Sequence, residues 1–175
     1  MKGNGKGVAG GLDSSITVQH TSVATGLAYN DLVRGFEREL GRWDLAIAER
    51  LLTTKASWSD VEREVDRMAG PRGLMIFTRI NQGEIISLSG ESKCCSLYLV
   101  GNPVIARKII SIDIRGSFYV PFRVCLFDQA DATGAVISYD RPSSFLAALE
   151  RRELQEFGLM LDQKIDAVVN VLKTQ

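Results

Sequence analysis

Arg123 interrupts an apolar, strand-like run, Phe122-Arg123-Val124-Cys125-Leu126-Phe127. Period-2 alternation puts Arg123, Cys125 and Phe127 on one face, which we expect to be an inner face of a sheet. A guanidinium placed there needs an anionic partner or an open pocket, because burying it unpaired is costly. Asp113, Asp140 and a ligand carboxylate are all eligible partners. Tyr139, on the returning strand, faces the same side if the hairpin register follows its turn. Tyr119, Arg123, Tyr139 and Asp140 then form a polar cluster beside an apolar floor, the makeup of a small-molecule pocket. A salt-bridge lattice with no void is the competing reading.

Other polar residues carry weaker signals. Asn102 in Gly101-Asn102-Pro103 is placed to cap a helix whose first residue is proline. The same helix N-terminus would offer N–H groups and a positive dipole end to an anion. Asp113 and Arg115 stand two residues apart in a connection, where they either pair with each other or join a site. Asp113, Asp128 and Asp140 could supply acid–base carboxylates, although nothing in their spacing fixes a separation.

Several chemistries are disfavoured. His20 is the one histidine, and no C-x-x-C, H-x-x-x-H or H-E-x-x-H spacing exists to build a zinc site, so no metal is expected. A Ser-His-Asp triad would have to use His20, yet no G-x-S-x-G elbow presents a serine; we read His20 as an ordinary strand-end residue. Cys94, Cys95 and Cys125 are too few and too oddly counted for a disulfide framework, which points to a reducing, cytoplasmic compartment. Gly5-Lys6-Gly7-Val8-Ala9-Gly10 satisfies G-x-G-x-x-G, but only four residues precede it, too few for the required strand. No cofactor is expected, and residues 1–13 read as a flexible, Gly-rich leader.

The elements that must position these groups follow from periodicity. Ile16 and Val18 alternate with Thr17 and Gln19 as a first strand. Leu32, Val33, Phe36 and Leu40 then lie at helical spacing, with Asn30 or Asp31 as N-cap and Gly41 as terminator. A second helix from Asp44 buries Leu45, Ala48, Leu51 and Leu52, and a third opens at Ser57-Trp58-Ser59-Asp60, close to a capping box. Residues 74–80 read as a central strand, 81–92 as either a helical turn or a short strand, and 93–100 as a strand. A helix carrying Ile105, Ile109 and Ile112 leads through 113–120 to a strand over 121–128. Asp131-Ala132-Thr133-Gly134 makes a hairpin loop, and 135–139 returns antiparallel. Leu154, Phe157, Leu161, Ile165, Val168 and Leu172 give a long C-terminal helix. The expected fold is α+β, a mainly antiparallel sheet of about four to six strands with helices packed against it, as one domain over 14–175.

Composition agrees. The 175 residues are 45% hydrophobic and 24% charged, as in a globular domain. Basic and acidic residues balance at 21 each, which argues against nucleic acid and anionic membranes as partners. No apolar run approaches the roughly 18 residues of a membrane span.

Three segments together resemble a known family. Leu97-Tyr98-Leu99-Val100-Gly101-Asn102-Pro103, Tyr119-Val120-Pro121-Phe122-Arg123-Val124 and Ser138-Tyr139-Asp140-Arg141-Pro142-Ser143-Ser144 resemble, in that order, the domain of unknown function family 302. The similarity runs from about Ile16 to the C-terminal helix, and the helices between Gly41 and Gly70 resemble the longer branch. The resemblance implies a small α+β domain that associates as a homodimer, and it implies no activity. It also implies an aspartate–histidine pair where this chain has Asn81-Gln82, and a histidine in the longer branch where this chain has Ile112. Whichever chemistry those histidines serve in relatives must be lost here or done differently.

The expected function is therefore a small-molecule-binding protein with a partly apolar pocket near Arg123 and Tyr139. Its ligand-contact candidates are Asn102, Asp113, Arg115, Tyr119, Arg123, Tyr139 and Asp140. The rival readings are a cofactor-independent isomerase, cyclase or hydrolytic enzyme using Tyr, Asp and Arg, and a purely structural dimeric module.

Overall fold

The structure, a computed structural model, describes residues 15–129 and 132–173. The leader expected over 1–13 and Asp131 of the hairpin loop lie outside the described residues. Alternation builds the sheet. In β4 (Cys95–Gly101), Ser96, Tyr98 and Val100 are buried while Cys95, Leu97 and Leu99 are half-exposed. In β5 (Phe122–Phe127), Phe122, Val124 and Leu126 are buried and Arg123 is exposed. The expected α+β architecture is found. Six strands run in the order β1 (His20–Ala24), β6 (Val136–Asp140), β5, β4, β3 (Met75–Ile80), β2 (Gly41–Arg42). All neighbours are antiparallel except β2 and β3.

Helices complete one side. The core cluster joins Leu32 and Phe36 of α1 (Tyr29–Glu39) to Tyr98, Val124 and Ile137 of the strands. Leu154, Leu161, Ile165, Val168 and Leu172 of α7 (Arg152–Lys173) fill the same cluster, at the spacing read from the sequence. Leu97, Leu99, Cys125 and Phe127, on the other sheet face, contribute nothing to it. The remaining helices are α2 (Leu45–Thr53), α3 (Trp58–Met68), α4 (Gln82–Ser87), α5 (Pro103–Ile112) and α6 (Pro142–Ala147), with a 3-10 helix at Ile114–Phe118.

Five expectations need correction. The first strand begins at His20 rather than Ile16, because its partner β6 ends where Pro142 opens α6 without an N–H to donate. The α1 N-cap is Ala28, with no side-chain cap from Asn30 or Asp31. Gly41 is no terminator: it pairs with Met75 in β2, and a Cβ there would lie 1.7 Å from the Met68 carbonyl oxygen. In α2 only Leu51 is buried, while Leu45 and Leu52 are 75% and 79% exposed, since this helix lies outside the core cluster. Residues 74–80 are not central, for β3 has only the two-residue β2 beyond it. The open reading of 81–92 resolves as α4, capped by Asn81, whose Oδ1 accepts from the Glu84 N–H.

Gly158 marks where α7 meets α6. A Cβ at this position would sit 2.5 Å from the Ser143 Cα, a backbone atom that cannot step aside. Glycine to alanine within a helix ordinarily stabilises by about 1 kcal/mol. Overpacking, at about 1–3 kcal/mol, outweighs that gain here. Gly158→Ala should therefore lower the urea midpoint by an amount worth up to about 2 kcal/mol without changing the slope. A raised midpoint would show that the α6–α7 contact is not tight.

Candidate functional site

Antiparallel register assembles polar side chains from distant segments into rows on the face opposite the core. His20 pairs with Asp140, and Ser22 with Ser138. Ser138 pairs in turn with Cys125, and Cys125 with Leu97. Arg123, opposite Leu99, comes within 3.7 Å of Asp140. Arg123 is thus not on an inner face: its side chain is 71% exposed. Both faces of β5 carry apolar residues, so alternation could group them but not say which group meets the helices.

Tyr139 borders a depression together with Arg123 and Asp140, but its ring belongs to the core. It is paired with Val124, on the covered face, and its hydroxyl donates to Asp166 Oδ1 at 2.7 Å. Burial first, then the Asp166 carboxylate, pushes its phenol well above the ordinary range. Beside it, Arg141 reaches Asp162 through Nε at 3.2 Å and Asp166 through Nη2 at 2.7 Å. Asp162 also accepts from the Ser143 N–H at 3.1 Å and its hydroxyl at 2.6 Å. Burial alone would raise the Asp166 carboxyl, but hydrogen bonds from Arg141 and Tyr139 outweigh it and hold the carboxyl below its usual value. Tyr139 and Arg141 therefore fasten the β6–α6 turn to α7.

Tyr119, Arg123 and Asp140 do come together. Tyr119 stacks on Phe145 with centroids 5.3 Å apart and meets Phe118 edge-on at 5.2 Å. With Leu99 they line a half-open cleft of about 370 Å³, one wall apolar and the other carrying Arg123 and Asp140. Ile16 and Val18 also line it.

The other candidates make contacts within the chain. Asn102 Oδ1 accepts from the N–H groups of Val104 at 2.8 Å and Ile105 at 3.2 Å, and Nδ2 donates to the Gly73 carbonyl at 2.9 Å. Those N–H groups are already used, so this helix start offers no anion site. Asp113 and Arg115 pair with each other and do not line the cleft. Asp113 caps the 3-10 helix, accepting from the Arg115 N–H at 3.0 Å and Nη2 at 2.6 Å. Among the described residues no cluster of His, Cys, Asp and Glu is placed to hold a metal ion.

Sequence reasoning missed a hydrogen-bonded chain. His20 Nδ1 lies 2.8 Å from Asp140 Oδ1, and Nε2 lies 2.8 Å from Ser138 Oγ and 3.1 Å from Ser22 Oγ. The two serine hydroxyls are 2.7 Å apart. A carboxylate can only accept, so in the neutral imidazole the proton sits on Nδ1 and Nε2 accepts from a hydroxyl. The available signal was spacing: His20 and Ser22, like Ser138 and Asp140, are two residues apart and share a strand face.

Asp113 should resist protonation until strongly acidic pH. Hydrogen bonds from the Arg115 side chain and backbone lower its pKa from 3.8 to about 2. A depressed carboxyl contributes stability that is present above its unfolded pKa and lost as pH falls through the folded one. Thermal denaturation between pH about 4 and about 2 should show Tm falling less steeply in Asp113→Asn than in the parent; identical slopes would place the acid sensitivity elsewhere.

No match is found among curated proteins. A solved structure of an uncharacterized conserved DUF302 protein from Bacillus stearothermophilus has a similar fold, with a TM-score of 0.60 at 13% identity, covering 86% of this chain and 95% of that one. The family model described as domain of unknown function DUF302 matches residues 51–172. That span holds Ser138 and Asp140 but not His20, and starts later than the Ile16 from which the resemblance was read. With the G-N-P turn, the Arg123 strand and the Arg141 turn all inside the matched span, the chain belongs to the DUF302 family.

Proposed function

We propose that this protein binds a small carboxylate with an apolar body in the cleft between Tyr119, Phe145 and Arg123. The observation carrying this reading is the state of Arg123. Among the described residues its guanidinium forms one ion pair, a loose 3.7 Å approach to Asp140, and it stands at the edge of an aromatic wall. Asp140 is already engaged by His20 at 2.8 Å. The planar fork of Arg123 therefore has N–H donors to offer, in the geometry that suits a carboxylate. A volume of about 370 Å³ falls within the range of small-molecule sites. Phe118, 85% exposed at the mouth, gains cover when an apolar group enters. Three free thiols support a cytoplasmic location, and among the described residues no helix is long and apolar enough to cross a membrane.

The test uses 3-phenylpropanoate and its neutral amide in calorimetric titrations. A charge-assisted hydrogen bond contributes about 1.5–3 kcal/mol, or roughly tenfold or more in Kd. The acid should bind at least tenfold tighter than the amide, and Arg123→Met should remove that difference while leaving the melting temperature unchanged. Phe118→Ala should weaken both compounds several-fold. Equal affinity for acid and amide, or for parent and Arg123→Met, would overturn the reading.

A second copy of the chain is the partner we propose. Supporting it are Ile85 and Leu88, 70% and 85% exposed on and beside α4, with Ile80 of β3 48% exposed nearby. Exposed aliphatic groups so close together are characteristic of interfaces. Light scattering after size exclusion should give twice the chain mass, reduced to the monomer by Leu88→Glu. A monomeric parent would refute the dimer.

A further inference from the structure

We propose that Ser138, His20 and Asp140 form a nucleophile–base–carboxylate relay that hydrolyses esters of apolar carboxylic acids. The substrate class rests on the carboxylate reading of the cleft; the relay itself rests on separate geometry. Asp140 Oδ1 to His20 Nδ1 is 2.8 Å, and His20 Nε2 to Ser138 Oγ is 2.8 Å. This is the connectivity in which an orienting carboxylate fixes the imidazole tautomer and the free nitrogen takes a hydroxyl proton. The members come from neighbouring strands of a rigid sheet, so their placement does not depend on a mobile loop. The His20 side chain is 61% exposed, whereas Ser138 is buried at 6% and is reached only through the space these residues share. His20, Ser138, Asp140 and Arg123 line a depression of about 250 Å³ that shares Arg123 and Asp140 with the cleft.

One donor touches Ser138 and a second lines the same depression. Ser22 Oγ lies 2.7 Å from Ser138 Oγ. Arg123 stands diagonally across the ladder, two residues from Cys125, the direct partner of Ser138. That separation is within the reach of a long side chain. A carbonyl oxygen positioned there meets a cation and a hydroxyl as it becomes negative. The same Arg123 then holds the carboxylate product, so the ligand of the cleft is what the relay makes.

The steps balance with water as the only co-reactant. Ser138 Oγ bonds to the ester carbonyl carbon while its proton passes to His20 Nε2. The carbon–oxygen bond to the alcohol breaks, and the alcohol leaves with that proton. Water then gives a proton to Nε2 as its oxygen bonds to the acyl carbon. The Ser138 ester bond breaks, Oγ recovers the proton, and the carboxylic acid departs, ionising to the carboxylate. Asp140 touches no substrate atom in this scheme and is a positioning residue.

A fluorophosphonate probe and p-nitrophenyl 3-phenylpropanoate test the proposal on the full chain. Peptide mapping should find the phosphonyl adduct on Ser138. Ser138→Ala should abolish it, and His20→Gln, altering a side chain 61% exposed and so harmless to folding, should slow labelling at least a hundredfold. Asp140→Asn should slow labelling at saturating probe while leaving the half-saturating probe concentration unchanged, because the imidazole loses the carboxylate that orients it. A merely structural Asp140 would leave the saturated labelling rate in place. No adduct, an adduct on Ser22 or elsewhere, or an unchanged rate in His20→Gln overturns the relay. His20-dependent labelling of Ser138 without 3-phenylpropanoate binding upholds the relay and removes only the substrate class. Carboxylate binding without labelling leaves the cleft as a binding site and overturns the catalysis.

Discussion

Everything in this molecule depends on a sheet whose two faces do different work. On one face Tyr98, Val124 and Ile137 lie against α1 and α7 and supply the core. On the other, every second side chain stands free of that core, and registers between strands decide which polar groups meet. Because successive residues point oppositely, a register shift of one would bury Asp140 and expose Tyr139. The core thus fixes the placement of the site: Val124 opposite Tyr139 on the covered side obliges Arg123 to stand near Asp140 on the other.

The turn after β6 locks that register. Arg141 reaches two aspartates of α7, one of them 4% exposed, while Ser143 closes on the same carboxylate from α6. A charge this deep is tolerated only when paired on all sides. The Tyr-Asp-Arg-Pro-Ser-Ser segment therefore divides its labour by parity. Tyr139 and Arg141 face α7 and hold, whereas Asp140 between them faces the open side and orients His20. What reads in sequence as one motif is two half-motifs, one structural and one available for chemistry.

Legibility followed the range of the interaction. Local features were readable: the Asp44, Ser57 and Asn102 caps, the three-four stripe of α7 and the Asp113–Arg115 pair each need only a few neighbouring residues. Half of the site was readable too, since Tyr119, Arg123 and Asp140 do share a cleft. The errors arose where a distant partner decides. Tyr139 was assigned to the wrong face because the hairpin register could not be read from its loop. His20 looked like an idle strand end because its partners, Ser138 and Asp140, lie 118 and 120 residues away. Leu45 and Leu52 looked like core because helical periodicity reports a stripe but not what covers it.

The pairing of the first strand with the last also has a consequence for biosynthesis. Ser22 and Ser138 are 116 residues apart, and among the described residues β1 has no other strand neighbour. At roughly 5–20 residues per second, a ribosome needs roughly 6–23 s to supply the partner after β1 is made. Throughout that interval the N-terminal strand has an unsatisfied edge while β3, β4 and β5 can already join. The polar row His20, Ser22 keeps that waiting edge hydrophilic on one side, which disfavours premature pairing between nascent chains.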